Sequence, residues 1–335
     1  MEKMITIDIG LGTQDILIGS EPNENSTKFV LPSPTQIIKK RVENTSGDLL
    51  VKGHTMGGGP LSGAIANHAE NNEVIMTKKS ARTISDDLSE VEEDGIKVIN
   101  ENPSKLEGYQ ELFLSDLISF PHIMSLLNKN DIDCPQTVGV AVQDHGVAPK
   151  GMSDRKYRFQ YFKKAIREGE GLMDLVFEEK TGRFSRIDSC FDFLNNNGLN
   201  SYLMDSKIAS IFGCLGENNR LIVDAGNGHF LAATCEGRRL IGLFEHHSSQ
   251  LTESKIKKYL RKLVDGSIKD EEVFEDGGHG AYVQGSLETD EIIVTGPKRN
   301  LMPNDLDFKL AHPIGDVMMA GAIGLFNGIN YLNQS

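Results

Sequence analysis

The sequence predicts an α/β protein built from two related domains that face each other. Three observations carry this expectation. The chain has 335 residues, enough for two domains or one large α/β unit. Short apolar runs alternate with amphipathic segments, which favours strands alternating with helices over a sandwich. A short pattern, apolar run, Asp-x-Gly-x-Gly, apolar run, also occurs twice, at Asp8 in "TIDIGLGTQDILI" and at Asp224 in "IVDAGNGHFLAAT". One copy is an ordinary hairpin turn, since Asp and Gly are common turn residues. Two copies, each after one buried strand and before another, point to an internal repeat.

Taken in order, strands are expected at 4–9, 14–19 and 28–33, the last stopped by "PSPT". "GHTMGGGPLSGAIANHA" reads as a Gly-rich loop opening onto a helix, "EVIMT" as a strand, and "KKSARTISDDLSEVEEDG" as an amphipathic helix ending at Gly95. "GYQELFLSDLISFPHIMSLLNKN" reads as a helix interrupted by Pro121, and "QTVGVAVQDHG" as a buried strand with a polar end. Residues 152–200 are expected to be helical, and "YLMDSKIASIFGCLG" is a helix rich in small residues. "RLIVDAGNGHFLAATCEGRRLIGLFEHH" restarts the hairpin pattern. "ESKIKKYLRKLVDG" is an amphipathic helix, "EIIVTGP" a short buried strand, and "DVMMAGAIGLFNGINYL" a closing apolar helix.

A net charge of -13 argues against nonspecific nucleic-acid binding, which needs surplus Lys and Arg. No apolar run reaches transmembrane length, and a strand starting within a few residues of Met1 leaves no room for a signal peptide. A cytoplasmic protein without membrane partners is expected. Its four cysteines, Cys134, Cys190, Cys214 and Cys235, are widely spaced and read as reduced thiols.

Gly-rich turns let backbone N–H groups approach phosphate oxygens, and a carboxylate at a strand end can hold Mg2+ against the same phosphates. Here the residues resemble the superfamily that joins actin, the heat-shock chaperone ATPases and the sugar kinases. "DIGLGTQD" looks like its first phosphate motif, "IVDAGNGHFLAATCEGRRL" its second, and "IIVTGPKRNLM" its adenosine motif; "DVMMAGAIGL" is similar to the helix that follows. More narrowly, "MGGGP", "DHG", "DAGNGH", "EHH", "GGHGA" and "TGP" resemble a prokaryotic family labelled pyruvate formate-lyase activating enzyme-like. That activation chemistry relies on an iron–sulfur cluster held by closely spaced cysteines, which this chain lacks.

The resemblance implies the actin-like ATPase (ribonuclease H-like) fold. Domain I would span 1–204, domain II 205–310, and a C-terminal helix within 311–335 would pack back on domain I. It implies ATP and Mg2+ as cofactors, with Asp8 and Asp224 positioning the metal. Gly10, Gly12, Thr13, Gln14, Gly226, Asn227, Gly228, Thr295, Gly296 and Pro297 would bind the nucleotide. Asp205 would start the helix before the second turn, as catalytic base, as helix cap, or as both. Gln143, Asp144 and His145, at the end of "VGVAVQDHG", would meet the acceptor, with Asp144 and His145 among the catalytic groups. His229 and the Gly57, Gly58, Gly59 run would line the substrate side, unless that run is only a tight bend. Lys257, Lys258 and Arg261 are further candidates for the adenosine.

The leading expectation is an ATP- and Mg2+-dependent phosphotransferase or ATPase acting on a small metabolite. A second is a nucleotide-driven switch that binds a partner protein. A third is a His-rich, metal-dependent hydrolase on the same fold. The nine histidines show no HExxH spacing, so His145 and His229 are expected to line the cleft without a transition metal.

Overall fold

The computed structural model describes residues 2–100, 103, 105–168 and 174–333. Strands β1 (Met4–Ile9) and β2 (Thr13–Gly19) form the first hairpin, and β3 (Thr27–Pro32) extends it. All six residues of β1 are buried, so apolar side chains are needed on both of its faces.

The chain then leaves this sheet. Helix α1 (Pro34–Glu43), β4 (Leu49–Gly53), α2 (Pro60–Ala69), β5 (Val74–Thr77), α3 (Lys78–Ala81), α4 (Leu88–Glu93), β6 (Lys97–Ile99) and β7 (Gln110–Leu114) form an inserted layer. Its sheet is parallel, in the order β6-β5-β4-β7.

This layer corrects several expectations. "PSPT" does more than stop a strand, because the Ser33 hydroxyl accepts from Gln36 N and Pro34 opens α1. The expected single helix from Lys78 to Gly95 is two short ones, since Asp87 caps a new start by accepting from Ser89 N. The expected helix around Pro121 begins as strand β7, whose Leu112 and Leu114 are buried and whose Glu111 and Phe113 are exposed. Pro121 then sits in the first turn of α5 (Phe120–Lys129), where a missing N–H is harmless.

The chain rejoins the first sheet through β8 (Thr137–Val142), followed by α6 (Asp154–Glu168), β9 (Val176–Phe177), α7 (Ser185–Asn196) and β10 (Asn200–Met204). Of the expected helical stretch 152–200, residues 169–173 lie outside the described ones, and β9 separates the two helices. "YLMDSKIASIFGCLG" is also divided: its first residues finish β10, and α8 (Ser206–Gly213) starts after the Asp205 cap.

The second half contains β11 (Asn219–Ala225), β12 (His229–Glu236), β13 (Arg239–His247), α9 (Glu253–Val264), α10 (Asp270–Glu275), β14 (Gly280–Val283), β15 (Glu291–Thr295), β16 (Lys309–Leu310) and α11 (Ala320–Leu332). The two six-stranded sheets run β3-β2-β1-β8-β10-β9 and β14-β13-β12-β11-β15-β16. In each, the strand bearing the Asp pairs antiparallel with its hairpin partner and parallel with the strand on its other side. The repeat seen in the turns therefore extends to sheet order and strand direction. This duplicated α/β architecture is the actin-like ATPase fold.

Helix α11 returns to pack on β1 and β8 and crosses α8. Glycines permit the crossing: a Cβ on Gly324 would lie 1.7 Å from Ala209 O, and one on Gly213 1.9 Å from Ala320 O. Gly324→Ala is expected to lose about 3 kcal/mol in urea unfolding through overpacking. Helix propensity alone would give a gain of about 1 kcal/mol, so the sign of the change tests the contact. One core cluster joins Ala141 and Met204 of the first sheet to Ile208, Ile222 and Leu231, so the halves share apolar packing. Among the described residues, no helix is long and apolar enough to cross a membrane.

Candidate functional site

The two Asp-x-Gly-x-Gly turns have matching local geometry. Gly10 N donates to Thr13 O at 2.9 Å, and Gly226 N donates to His229 O at 3.0 Å. Across the hairpins Asp8 is registered with Asp15 and Asp224 with Leu231, seven residues on in both cases. The turns also touch, since a Cβ on Gly12 would come within 2.6 Å of Asn227 Nδ2. A side chain at position 12 would therefore displace the Asn227 amide where the two halves meet.

These turns border a cavity of about 850 Å3. Its lining includes Asp8, Gly10, Gly12, Thr13, Asp224, Gly226, Asn227, Gly228, Thr295, Gly296 and Pro297. The inserted layer contributes Gly57, Gly58 and Gly59, and the end of β8 contributes Gln143, Asp144 and His145, opposite His229. Gly296 (φ +89°) is required, because a Cβ there would sit 2.4 Å from Ala225 O.

Gln14 and Asp205, both expected at the site, do not line it. Gln14 points to the other face of β2 from Thr13 and Asp15, and its Nε2 donates to Pro32 O at 2.9 Å and Ser119 Oγ at 3.1 Å. Asp205 caps α8 by accepting from Lys207 N, and Arg158 holds both of its oxygens at 2.9 Å. It has no free oxygen facing the cavity with which to act as a base. Lys257 pairs with Glu253 and Asp305, Lys258 pairs with Glu272, and neither these lysines nor Arg261 lines the cavity.

A group of buried carboxylates stands at the strand ends. Asp8, Asp15 and Asp224 are all buried, and the Lys207 ammonium lies 2.8 Å from Asp224 Oδ2. Asp8 Oδ1 and Asp15 Oδ1 have no hydrogen-bond partner. Burial, with a smaller push from Asp224, raises Asp8 to about 7; burial and the neighbouring Asp8 raise Asp15 to about 8. Unpartnered, desolvated carboxylate oxygens beside a phosphate-type turn fit a hard divalent cation such as Mg2+.

A pH dependence follows. Both groups ionise near 3.8 when unfolded but only near 7 and 8 when folded, so the folded state binds more protons between these values. In chelator, the melting temperature is expected to fall as pH rises from about 6 to about 9, and Mg2+ is expected to reverse the fall. A melting temperature that rises over this range in chelator would refute the assignment of these two groups.

The opposite wall is held by ion pairs. Asp144 accepts from Gly146 N, Arg186 N and Ile187 N, so its lone pairs serve the backbone, and burial raises it to about 6. Arg186 donates to both oxygens of Asp116 and to Gln143 O. Gln143 Nε2 donates to Glu245 Oε1 at 2.8 Å, and Arg158 bridges Glu245 and Asp205. Burial opposes ionisation of Glu245, yet the Arg158 guanidinium keeps its carboxyl well below the usual range.

Sequence reasoning missed Lys207, Arg158, Glu245 and Arg186. Only Lys207 had a usable signal, as a lone cation in the first turn of a helix of small residues. The side chains of the other three meet partners 43 to 102 residues distant in the chain, which no local pattern encodes.

A family model described as "Putative pyruvate format-lyase activating enzyme (DUF1786)" matches residues 56–301. No curated protein matches the chain. Among solved structures, a Bacteroides thetaiotaomicron protein with actin-like ATPase fold and unknown function is 11% identical over 96% of this chain and 95% of that chain, with a TM-score of 0.40. The inorganic polyphosphate/ATP-glucomannokinase of Arthrobacter sp. strain KM is 11% identical over 100% of both chains, at 0.38. The activator of 2-hydroxyisocaproyl-CoA dehydratase from Clostridium difficile, with bound ADPNP, is 10% identical over 99% and 98%, at 0.35.

The iron–sulfur chemistry implied by the family description does not fit these cysteines. Cys190 lies in one core cluster and Cys214 and Cys235 in another, while Cys134 lies 3.0 Å from Asn128 Oδ1. Burial pushes the Cys214 and Cys235 thiols up to about 12 and Cys190 well above its ordinary value, whereas a cluster needs thiolates.

Proposed function

The chain belongs to the DUF1786 family, and from the geometry of its cleft we propose an ATP- and Mg2+-dependent phosphotransferase or ATPase acting on a small metabolite. The observation that carries this reading is the convergence of two matched Gly turns on Asp8, Asp15 and Asp224, with unpartnered oxygens on the first two. Mg2+ held by these carboxylates would neutralise charge on the phosphates during transfer.

The chain's own residues would do the rest. The Gly10–Gly12 and Gly226–Gly228 turns would let the backbone approach phosphate oxygens, and Lys207 would add a positive charge at the same place. The Thr295–Pro297 turn, with Thr295 Oγ1 anchored on Val317 O at 3.0 Å, would support the nucleoside. Gln143 and His145 would face the acceptor, and Asp144 would shape their loop.

A second reading, a nucleotide-driven switch that binds a partner protein, is favoured by one observation. Both expected acid–base carboxylates, Asp144 and Asp205, already have their oxygens occupied. Turnover would then be slow, and nucleotide would act by shifting the populations of open and closed clefts.

The test is calorimetric titration of metal-stripped protein with a nonhydrolysable ATP analogue, with and without Mg2+. Binding that requires Mg2+ supports the nucleotide cleft, and phosphate release with ATP then separates enzyme from switch. Absence of binding at millimolar analogue would overturn both readings.

A further inference from the structure

Beside the phosphate turns, four imidazoles from separate segments pack together. His145 follows β8, His229 opens β12, His247 ends β13 in register with His229, and His279 precedes β14. Its backbone N–H fixes His279 by donating to Glu245 O at 2.9 Å. One ring nitrogen from each of His145, His229 and His279 lies within 4.8 Å of the other two. His145 Nε2 and His279 Nε2 are 3.1 Å apart. The rings of His247 and His279 are 4.8 Å apart, centroid to centroid.

We infer that His145, His229 and His279 form a binding site for a borderline divalent transition-metal ion of the Zn2+, Co2+, Fe2+ or Ni2+ class. Its remaining coordination position would face the cleft.

Three features support this. Three neutral imidazoles are a common donor set for such ions, and a metal at about 2.0–2.1 Å from each nitrogen puts neighbouring donors about 2.9–3.4 Å apart. The His145–His279 separation already falls in that range, so only His229 has to close in. His279 is 1% exposed, so bulk water does not compete for its ring.

The surroundings agree. Glu245 and Asp205 share the single guanidinium of Arg158 behind the cluster, leaving one uncompensated negative charge near a would-be dication. His145 and His229 line the cavity, so an oxygen ligand in the cleft could reach the open position, with His247 as the alternative fourth donor. His145 comes from the first half and the other ligands from the second, so the ion would tie the halves together. Such a site would depart from the expectation that His145 and His229 line the cleft without a transition metal, because no local spacing announces a ligand set assembled from three distant segments. It does not depend on nucleotide binding.

The experiment titrates chelator-treated full-length protein with Co2+ in excess Mg2+ and without nucleotide, reading visible absorption and melting temperature. One equivalent of Co2+ is expected to give the intense ligand-field bands of a four- or five-coordinate nitrogen site and to raise the melting temperature. His229→Ala and His279→Gln are expected to weaken binding at least 100-fold, and the exposed His312→Ala to leave it unchanged. A spectrum like that of aqueous Co2+ in the wild-type protein, a readout that needs no variant to fold, would overturn the site. So would equal affinity in wild type and His229→Ala. Because nucleotide is absent, failure here leaves the nucleotide reading intact, and failure of nucleotide binding leaves this result standing.

Discussion

Asp8→Asn is expected to weaken Mg2+-dependent binding of a nonhydrolysable ATP analogue at least 100-fold, or about 2.7 kcal/mol, while making the metal-free protein more stable at pH 9. The two effects share a cause. Asp8 is buried between Asp15 and Asp224, and a Cβ on Gly321 would lie 1.9 Å from its Oδ2, so helix α11 closes over it. Without a cation, its ionised form is desolvated and repelled by its neighbours. Asparagine removes that repulsion and also removes the charge that would hold the ion. Calorimetry reads the first effect and thermal unfolding in chelator the second. Unchanged Mg2+-dependent affinity in the variant would remove Asp8 from the metal site, and a lower stability at pH 9 would contradict the electrostatic account.

Arg158→Met should destabilise the protein by about 3–5 kcal/mol, because it leaves two carboxylates buried without their partner. Arg158 is 1% exposed and donates from Nε and Nη2 to Asp205 and from Nη1 to Glu245. Adding Glu245→Gln to the variant is expected to restore part of the loss, a non-additive result that a double-mutant cycle in urea would measure. The destabilisation should also shrink in acid. Arg158 keeps the Glu245 carboxyl well below its usual range, and its stabilising effect is lost as pH falls and the carboxylate takes a proton. A loss below about 1 kcal/mol would put this network in the class of surface ion pairs and refute its role in joining α6, α8 and β13.

Much of the fold was legible in the sequence, for local reasons. A buried strand followed by Asp-x-Gly-x-Gly and a second apolar run determines a hairpin within about a dozen residues, and a second copy announces the duplicated half. The inserted layer was read less well. Short parallel strands such as β4 and β7 carry few residues and no turn motif of their own, and Pro121 marks a helix start as readily as a break.

The site divided along the same line. The turns, Asp8, Asp224, Thr295–Pro297 and the end of β8 were read from motifs and all line one cavity. The company they keep was decided only by tertiary structure. Period two put Asp15 on the cleft face of β2 and Gln14 on the other face, and sheet pairing set Asp15 against Asp8. Asp205 lost its open oxygens to Arg158, 47 residues away. His279 met His145 across 134 residues. A turn depends on the backbone freedom of its own few residues, so sequence can determine it. The charge state and bonding of a buried side chain depend on which distant groups share its low-dielectric surroundings, and only the folded packing of the two halves decides that.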